Sequence, residues 1–499
     1  MSTPITLLAD FYKLSHREQY PAGTQFIYST LTPRVDKRSE AIKPYSKGIV
    51  FFGLQYFIKK YLIDRFNKDF FSQPKEKVIA QYVRLIKNTL GVKNVYTKHL
   101  EDLHDLGYLP LRIKALPEGS YVPIKVPCVT IENTNPNFFW LTNFIETCFL
   151  NSIWLPSTSA TTASIYSNIL TKYAIETVGD VSFVSFQAHD FSMRGMSSEQ
   201  SAETSGAAHL LFFKGSDNIP AGIFLEDYYN ANLEKELIFT SIPATEHSVM
   251  SAYGKANEMA LMKHLITDIY PSGAVSIVSD TWDFWKVITD YLPKLKDVIL
   301  GRDGKLVIRP DSGNPVDILC GTNPNAGVGV TAQEKGLFES LWDIFGGTIN
   351  SKGYKVLDPH IGVLYGDGIT LERCLEIMER MKEKGFASSN IVLGIGTCAY
   401  QCVTRDMYGW AMKATYAVIN GQEHLLQKDP KTDEGVKKSH RGLVIVSKGN
   451  DGTLCVLDGM NRQEHDLLAE KDMLKTVFVD GRLLRETSLH EIRNKVRIS

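Results

Sequence analysis

The sequence predicts an α/β protein: an irregular (β/α) barrel-like domain with a second, smaller, mostly antiparallel β domain built from N- and C-terminal segments. Three observations predict it. Through the middle of the chain, short apolar runs end in polar tips and are followed by helical patterns, again and again. Polar tips on so many strands are what a barrel with its site at the C-terminal face shows, and this favours a barrel over an open doubly wound sheet. On either side of this region the period drops to two, with Pro, Gly and Asp-Gly punctuation. The expected division is 1–150 as helices and strands of the smaller domain, 151–400 as the barrel-like domain, and 401–499 partly completing the smaller one.

Residues 7–20 mix apolar residues with Asp10, Lys13, His16 and Arg17 before Pro21, and read as a surface helix in which Tyr12 is packing. Residues 53–66 place Leu54, Phe57, Ile58 and Leu62 at helical spacing, and a basic helix follows over 74–90. Leu111, Ile113 and Ala115, then Val122, Ile124 and Val126, alternate with polar residues or proline as strands do. Residues 137–155 are too polar for a membrane span and read as a buried helix, with another over 159–177. A strand over 181–186 runs into AHDFSMRG, after which Ser197 and Gln200 fit a capping box. A strand and turn over 212–218 carry KGSD. SIPATEH (241–247) leads into a long helix striped by Val249, Ala252, Ala256, Met259 and Leu265. Strands then feed Ser279–Asp280, Arg309–Asp311, Gly366–Gly368 and GIGT (394–397), with a helix striped by Leu371, Leu375, Met378 and Met381 between the last two. Hairpins are expected around residues 449–452 and at Asp480-Gly481.

A chain of 499 residues with 43% hydrophobic and 22% charged residues expects a large core. A net charge of −1 offers no bulk attraction for nucleic acid, so any anion site is local. Seven cysteines without CxxC spacing read as reduced thiols, and MSTPITLLADFYKLS lacks the basic and apolar regions of a signal peptide. A cytoplasmic protein is expected, with neither nucleic acid nor membrane as partner.

The stretch KLVIRPDSGNP (305–315) is central to the functional reading. Its strand ends in Arg309 and Asp311, which suit an anion and a sugar hydroxyl, with surface pairing as the plainer role. Arg194 and Arg405 are further candidates for anion oxygens. Gly366, Gly368, Gly394 and Gly396 let backbone amides approach a phosphate, although neither a Rossmann nor a Walker pattern is present. Asp280, Asp311 and Asp367 are tip carboxylates suited to sugar hydroxyls or to a metal held through water, or to capping. Phe191 offers a stacking face, and Asp217 accepts an N–H. His247, behind Glu246 in the first turn of a helix, suits phosphate binding or transient phosphorylation, or simply capping.

The set HDFSMRGMSS (189–198), AHLLFFKGSD (208–217), SIPATEHS (241–248), SIVSDTWD (276–283), IRPDSGNP (308–315) and YGDGI (365–369) resembles the nicotinamide phosphoribosyltransferase family of type II phosphoribosyltransferases, nearly from end to end. The resemblance implies a homodimer with shared active sites that joins nicotinamide to 5-phosphoribosyl-1-pyrophosphate, with ATP as co-substrate and Mg2+ as cofactor. It implies nicotinamide between Phe191 and Tyr12 of the partner subunit, with its carboxamide on Asp217. Ser241, Ser276, Arg309 and Asp311 would serve base and ribose, and Asp280 the ribose or metal region. Arg194, Arg405, Gly366, Asp367, Gly396 and Thr397 would hold phosphate, with Lys413 or Lys428 at the rim. His247, with Glu246 beside it, matches the histidine that ATP phosphorylates. GIGTCAY (394–400) departs from the family's GSGGG form, which puts ATP coupling and feedback in question, and YGDG stands for QGDG. The alternatives are a nicotinate phosphoribosyltransferase, against which Asp217 argues, a quinolinate-type decarboxylating transferase, and a homodimeric scaffold or signalling protein.

Overall fold

We describe the protein from a computed structural model, covering residues 3–322, 330–366, 368–432 and 437–498. Asp367 and residues 323–329, for which the sequence suggests a surface loop, lie outside these residues.

Six parallel strands form the central sheet in the order Gly215–Ser216, Ala188–Asp190, Ile391–Ile395, Ile361–Tyr365, Asp303–Arg309, Ser272–Val278. Their apolar runs are buried on both faces, as parallel strands covered by helices are: Ile277, Ile308, Val363 and Leu393 belong to one core with the flanking helices. The segment from Thr240 to Thr245 joins the two edges. Thr240 bridges Gly215 on one side and Ala244 bridges Ser276 on the other, both in parallel. Thr240 N donates to Lys214 O (2.7 Å), Ser276 N to Pro243 O (2.9 Å) and Thr245 N to Ser276 O (3.0 Å). This stave closes the sheet into an irregular barrel. Pro243 has no N–H to extend the ladder, which keeps the stave short.

The second sheet is antiparallel and seven-stranded, in the order Gln422–Leu425, Ala411–Ile419, Thr24–Thr32, Val129–Asn133, Leu111–Ala115, Lys475–Val479, Arg482–Leu483. Every strand precedes residue 134 or follows residue 410, so the two ends of the chain share one sheet. Its last hairpin turns at Asp480 (φ 48°) and Gly481 (φ 79°), the left-handed pair that a two-residue turn requires. The hairpin Leu443–Lys448 with Leu454–Met460 forms separately.

A single helix, Glu146–Thr177, joins the two cores, where the sequence suggested two helices. Phe149 and Ile153 pack in the antiparallel core; Ile165 and Ile169 pack in the barrel core. At 1.5 Å per residue it is about 48 Å long. Pro156 lies inside it against Gly53, where a Cβ would come within 2.7 Å of the proline ring.

Other local expectations shift. Residues 7–20 form short 3-10 turns and the four-residue helix His16–Gln19, and Tyr12 is 58% exposed rather than packed. The strand expected over 181–186 is a turn, and the paired residues are Ala188–Asp190. The capping box belongs to Ser198 and Ser201. The long helix after SIPATEH breaks at Gly254 (φ 82°), and its buried residues are Met250, Leu261, Met262 and Leu265. The helix Leu371–Glu383 buries Cys374, Ile377, Met378 and Met381. All seven cysteines are free thiols, and no helix of the described residues is long and apolar enough to cross a membrane.

Candidate active site

The carboxyl ends of the parallel strands surround a cavity of 410 Å³. At one edge, strand alternation sends His189 and Phe191 to the same face, their ring centroids 4.6 Å apart. Asp190, on the other face, is buried and accepts from Ser192 N (2.9 Å) and Asn218 Nδ2 (3.2 Å). The Gly215–Ser216 strand releases Asp217 beside His189, whose Nε2 lies 2.8 Å from Asp217 Oδ1. Ser241 Oγ, from the closing stave, donates to the same oxygen at 2.5 Å. Burial disfavours the Asp217 carboxylate, but the hydrogen bonds from His189 and Ser241, with the charges of His189 and Arg309, outweigh it and hold the carboxyl below its ordinary value. Both contacts fall on Oδ1, which leaves Oδ2 without a protein partner among the described residues.

Arg309 ends the Asp303–Arg309 strand. Its Nη2 donates to Thr245 O at 2.5 Å, while Nε is buried without a hydrogen-bond partner. Burial lowers the guanidinium pKa; the charges of Asp311, Asp217 and Asp280 oppose that shift. At the far edge of the sheet, the Asp280 side chain is 5% exposed. Its Oδ2 accepts from Asp311 N (2.9 Å) and Ser312 Oγ (2.6 Å), and its Oδ1 lies 3.3 Å from His247 Nε2. His247 opens the helix His247–Tyr253, with Glu246 at its cap and Ser248 Oγ donating to Glu246 Oε1. Tyr365 O–H donates to Ser312 O (2.9 Å) and Gly313 O (3.1 Å), which steadies the same loop. At Gly366 a Cβ would overlap Asp311 Oδ1, so the carboxylate would have to shift to admit one; at Gly396 nothing lies within 4 Å of one.

The site thus presents an aromatic face, an ionised acceptor, a half-buried arginine and a histidine on a carboxylate, around one ligand-sized space. The nicotinate phosphoribosyltransferase (NAPRTase) family matches residues 186–482, and the family described as nicotinamide phosphoribosyltransferase, N-terminal domain, matches residues 4–113. The nicotinamide phosphoribosyltransferase of Acinetobacter baylyi is 46% identical over 493 residues, 98% of this chain and 96% of that protein. The chain belongs to the nicotinamide phosphoribosyltransferase family. The Mycoplasma genitalium nicotinamide phosphoribosyltransferase is 37% identical over 87% of this chain and 94% of its own. Among solved structures, human nicotinic acid phosphoribosyltransferase superposes with a TM-score of 0.53 at 15% identity, over 99% of this chain and 93% of its own. Nicotinate-nucleotide pyrophosphorylase from Pyrococcus furiosus gives 0.56 at 14%, over 100% and 96%. These two share the fold. As a member of the family, the chain is a pentosyltransferase.

Of the candidate residues in this nicotinamide phosphoribosyltransferase family member, Phe191, Arg194, Asp217, Glu246, Arg309, Asp311, Gly366, Gly396 and Thr397 line the cavity. His247, Asp280 and Ser241 are tied to it by the contacts above. Ser276 is buried in its strand, with Oγ unpartnered, and does not line the cavity. Arg405 lies outside it, 3.5 Å from Asp406. Tyr12 also lies outside it, beside His16. Lys413 lines a separate 290 Å³ cavity with Arg34, Lys125, Lys438 and His440, and Lys428 N donates to Ser439 at that cavity's wall. Sequence reasoning passed over His189, Thr245, Ser312 and Tyr365. Only His189 carried a signal: it stands two residues before Phe191, on the same strand face.

Proposed function

We propose that this enzyme transfers the 5-phosphoribosyl group from 5-phosphoribosyl-1-pyrophosphate to nicotinamide, giving nicotinamide mononucleotide and pyrophosphate. The observation that carries the reading is Asp217. A carboxylate held ionised beside an aromatic face accepts the carboxamide N–H and repels the carboxylate of nicotinic acid. Phe191 supplies one stacking face. The neutral ring nitrogen forms the new bond to C1 of the ribose as the C1–O bond to pyrophosphate breaks, and no proton has to leave. The transition state carries positive charge at C1, so fixed charges matter more than a strong base. Arg309 and Asp311 would take the ribose, and Arg194 with the Gly366 and Gly396–Thr397 tips the phosphates, since all of them line the cavity.

ATP enters through His247. Asp280 Oδ1 can only accept, so Nε2 carries the ring proton and Nδ1 is the nucleophile. Nδ1 takes the γ-phosphoryl group as ADP leaves, and water later cleaves the phosphohistidine to phosphate. The described residues hold no cluster of three or more His, Cys, Asp or Glu. Asp311, which lines the cavity, would hold Mg2+ through water together with substrate phosphates, as suits this ion, with Asp280 behind it holding the Asp311 backbone. Bound there, it would neutralise charge on the leaving pyrophosphate.

A homodimer completes the site. The cavity has one aromatic wall and few cations, whereas Tyr12 stands exposed and the cavity around Lys413 is lined by Arg34, Lys125, Lys438 and His440, with Glu146 and Asp429 pairing two of its lysines. A second copy would bring both to the cavity. The enzyme is expected in the cytoplasm.

The test is mononucleotide formation by purified protein, with nicotinamide and nicotinic acid supplied separately alongside 5-phosphoribosyl-1-pyrophosphate and magnesium, with and without ATP. Turnover of nicotinamide, raised by ATP, is expected. Preference for nicotinic acid would overturn the role of Asp217, and no product from folded dimer would overturn the activity.

A further inference from the structure

The tip after the Ile391–Ile395 strand is anchored in three places. Thr397 opens the short helix Thr397–Tyr400 and lines the cavity. Its side chain packs so closely on Gly195 that a Cβ there would overlap it, so Thr397 supports the loop that carries Arg194. Just beyond the helix, Gln401 Oε1 accepts from Ser197 N at 2.9 Å. The third anchor is fully buried. Tyr400 and His209 are both 0% exposed, and the Tyr400 hydroxyl lies 2.7 Å from His209 Nδ1. His209 Nε2 lies 3.1 Å from Gly215 O. A carbonyl only accepts, so Nε2 carries the proton and Nδ1 accepts from Tyr400. Burial, which lowers the His209 pKa, agrees with that neutral tautomer. Gly215 begins the strand that ends at Asp217, and the strand is itself held on both sides, by His189 and Thr240.

We propose that Tyr400, acting through His209, is a positioning residue that holds the Gly396–Thr397 tip and the Arg194 loop in register with the strand that carries Asp217. GIGTCAY thus ends in a residue that tethers its tip to the buried interior. Because the Gly215 strand keeps its neighbours when the tether is cut, the phosphate end loosens and the base end does not. The inference rests on the proposed reaction for which groups bind where, and its test includes measurements that need no turnover.

Tyr400→Phe keeps the ring and removes only the hydroxyl; His209→Phe keeps a ring and removes both nitrogens of the tether. In each, KM for 5-phosphoribosyl-1-pyrophosphate and Kd for inorganic pyrophosphate should rise about tenfold, as for a buried polar group left unpaired, with KM for nicotinamide within about twofold of its starting value. Amide exchange over 394–402 should quicken. The double variant should be no worse than either single one, since both cut one tether. If Tyr400→Phe does not fold, Gln401→Ala loosens the same tip from its surface anchor and should shift pyrophosphate affinity in the same direction. Unchanged pyrophosphate affinity and exchange would overturn the proposal, as would an equal loss for both substrates with a lowered Tm. A wild-type protein that forms no nicotinamide mononucleotide would sink the proposed reaction, while pyrophosphate binding and exchange still decide the tether.

Discussion

Asp217 and Asp280 follow the two edge strands of the same parallel sheet, and the closing stave hands each a partner: Ser241 to one, His247 to the other. They are nonetheless used differently. The Asp217 side chain is 44% exposed and that of Asp280 only 5%. Asp217 takes both its contacts on one oxygen and leaves the other without a protein partner among the described residues. Asp280 spends both oxygens on Asp311 N, Ser312 and His247. Two carboxylates at equivalent places in a barrel can thus differ, one with an oxygen left open and the other a brace. What separates them is how many donors the local loop aims at each.

The sharpest break of this contrast is Asp217→Asn. The amide retains size but loses the charge that draws the carboxamide N–H, so kcat/KM for nicotinamide should fall about 100-fold, as for loss of a charge-assisted hydrogen bond. Steady-state kinetics with both bases check it; an undiminished kcat/KM would reassign Asp217 to structure. Gly366→Ala probes the brace side from outside. The new methyl group meets Asp311 Oδ1, whose backbone N–H Asp280 holds in place. A fall of about 30-fold in kcat is expected, since small misplacement in a site is costly. Gly396→Ala, with nothing within 4 Å, should leave Tm unchanged and so serves as its control. His247→Ala should abolish the stimulation by ATP and the acid-labile phosphoryl label from ATP, while turnover without ATP persists within about threefold, because His247 contacts the brace and not the base end.

Much of the site was legible from sequence because short buried strands end abruptly in polar residues. Leu306, Val307 and Ile308 could lead only to a tip, so Arg309 and Asp311 had to stand at it. The alternation at Leu111, Ile113 and Ala115 likewise gave the antiparallel sheet. The closing stave was not legible. It contains a proline, pairs through single bridges and shows no alternation, so SIPATEH read as a helix approach. The helix Glu146–Thr177 hid for the opposite reason: it is buried nearly all round, which removes the amphipathic period that marks a helix as one unit. His189 was hidden beside Phe191, whose ring was read as the stacking face of that strand, while Asp190 between them is buried in the fold.

The smallest effect tests the cause of the difference itself. Ser241→Ala removes one of the two hydrogen bonds that outweigh burial at Asp217. The loss in kcat/KM for nicotinamide should be about fivefold near neutrality, because the carboxylate survives on His189 alone. Its pH dependence is more telling. A carboxyl lowered in the folded state stabilises the site above the unfolded value of about 3.9, and that contribution disappears as pH falls through the lower folded value. In the unmodified enzyme, Asp217 should therefore impose no acid limb between about pH 5 and 8. With Ser241 gone, burial meets less opposition, the folded value rises, and the acid limb for nicotinamide should move to higher pH. The same substitution should leave the ATP stimulation through His247 unaltered, because that carboxylate draws nothing from Ser241. A limb that does not move would show that His189 alone keeps Asp217 ionised, and that the stave's contribution at this edge is closure of the barrel rather than tuning of the acceptor.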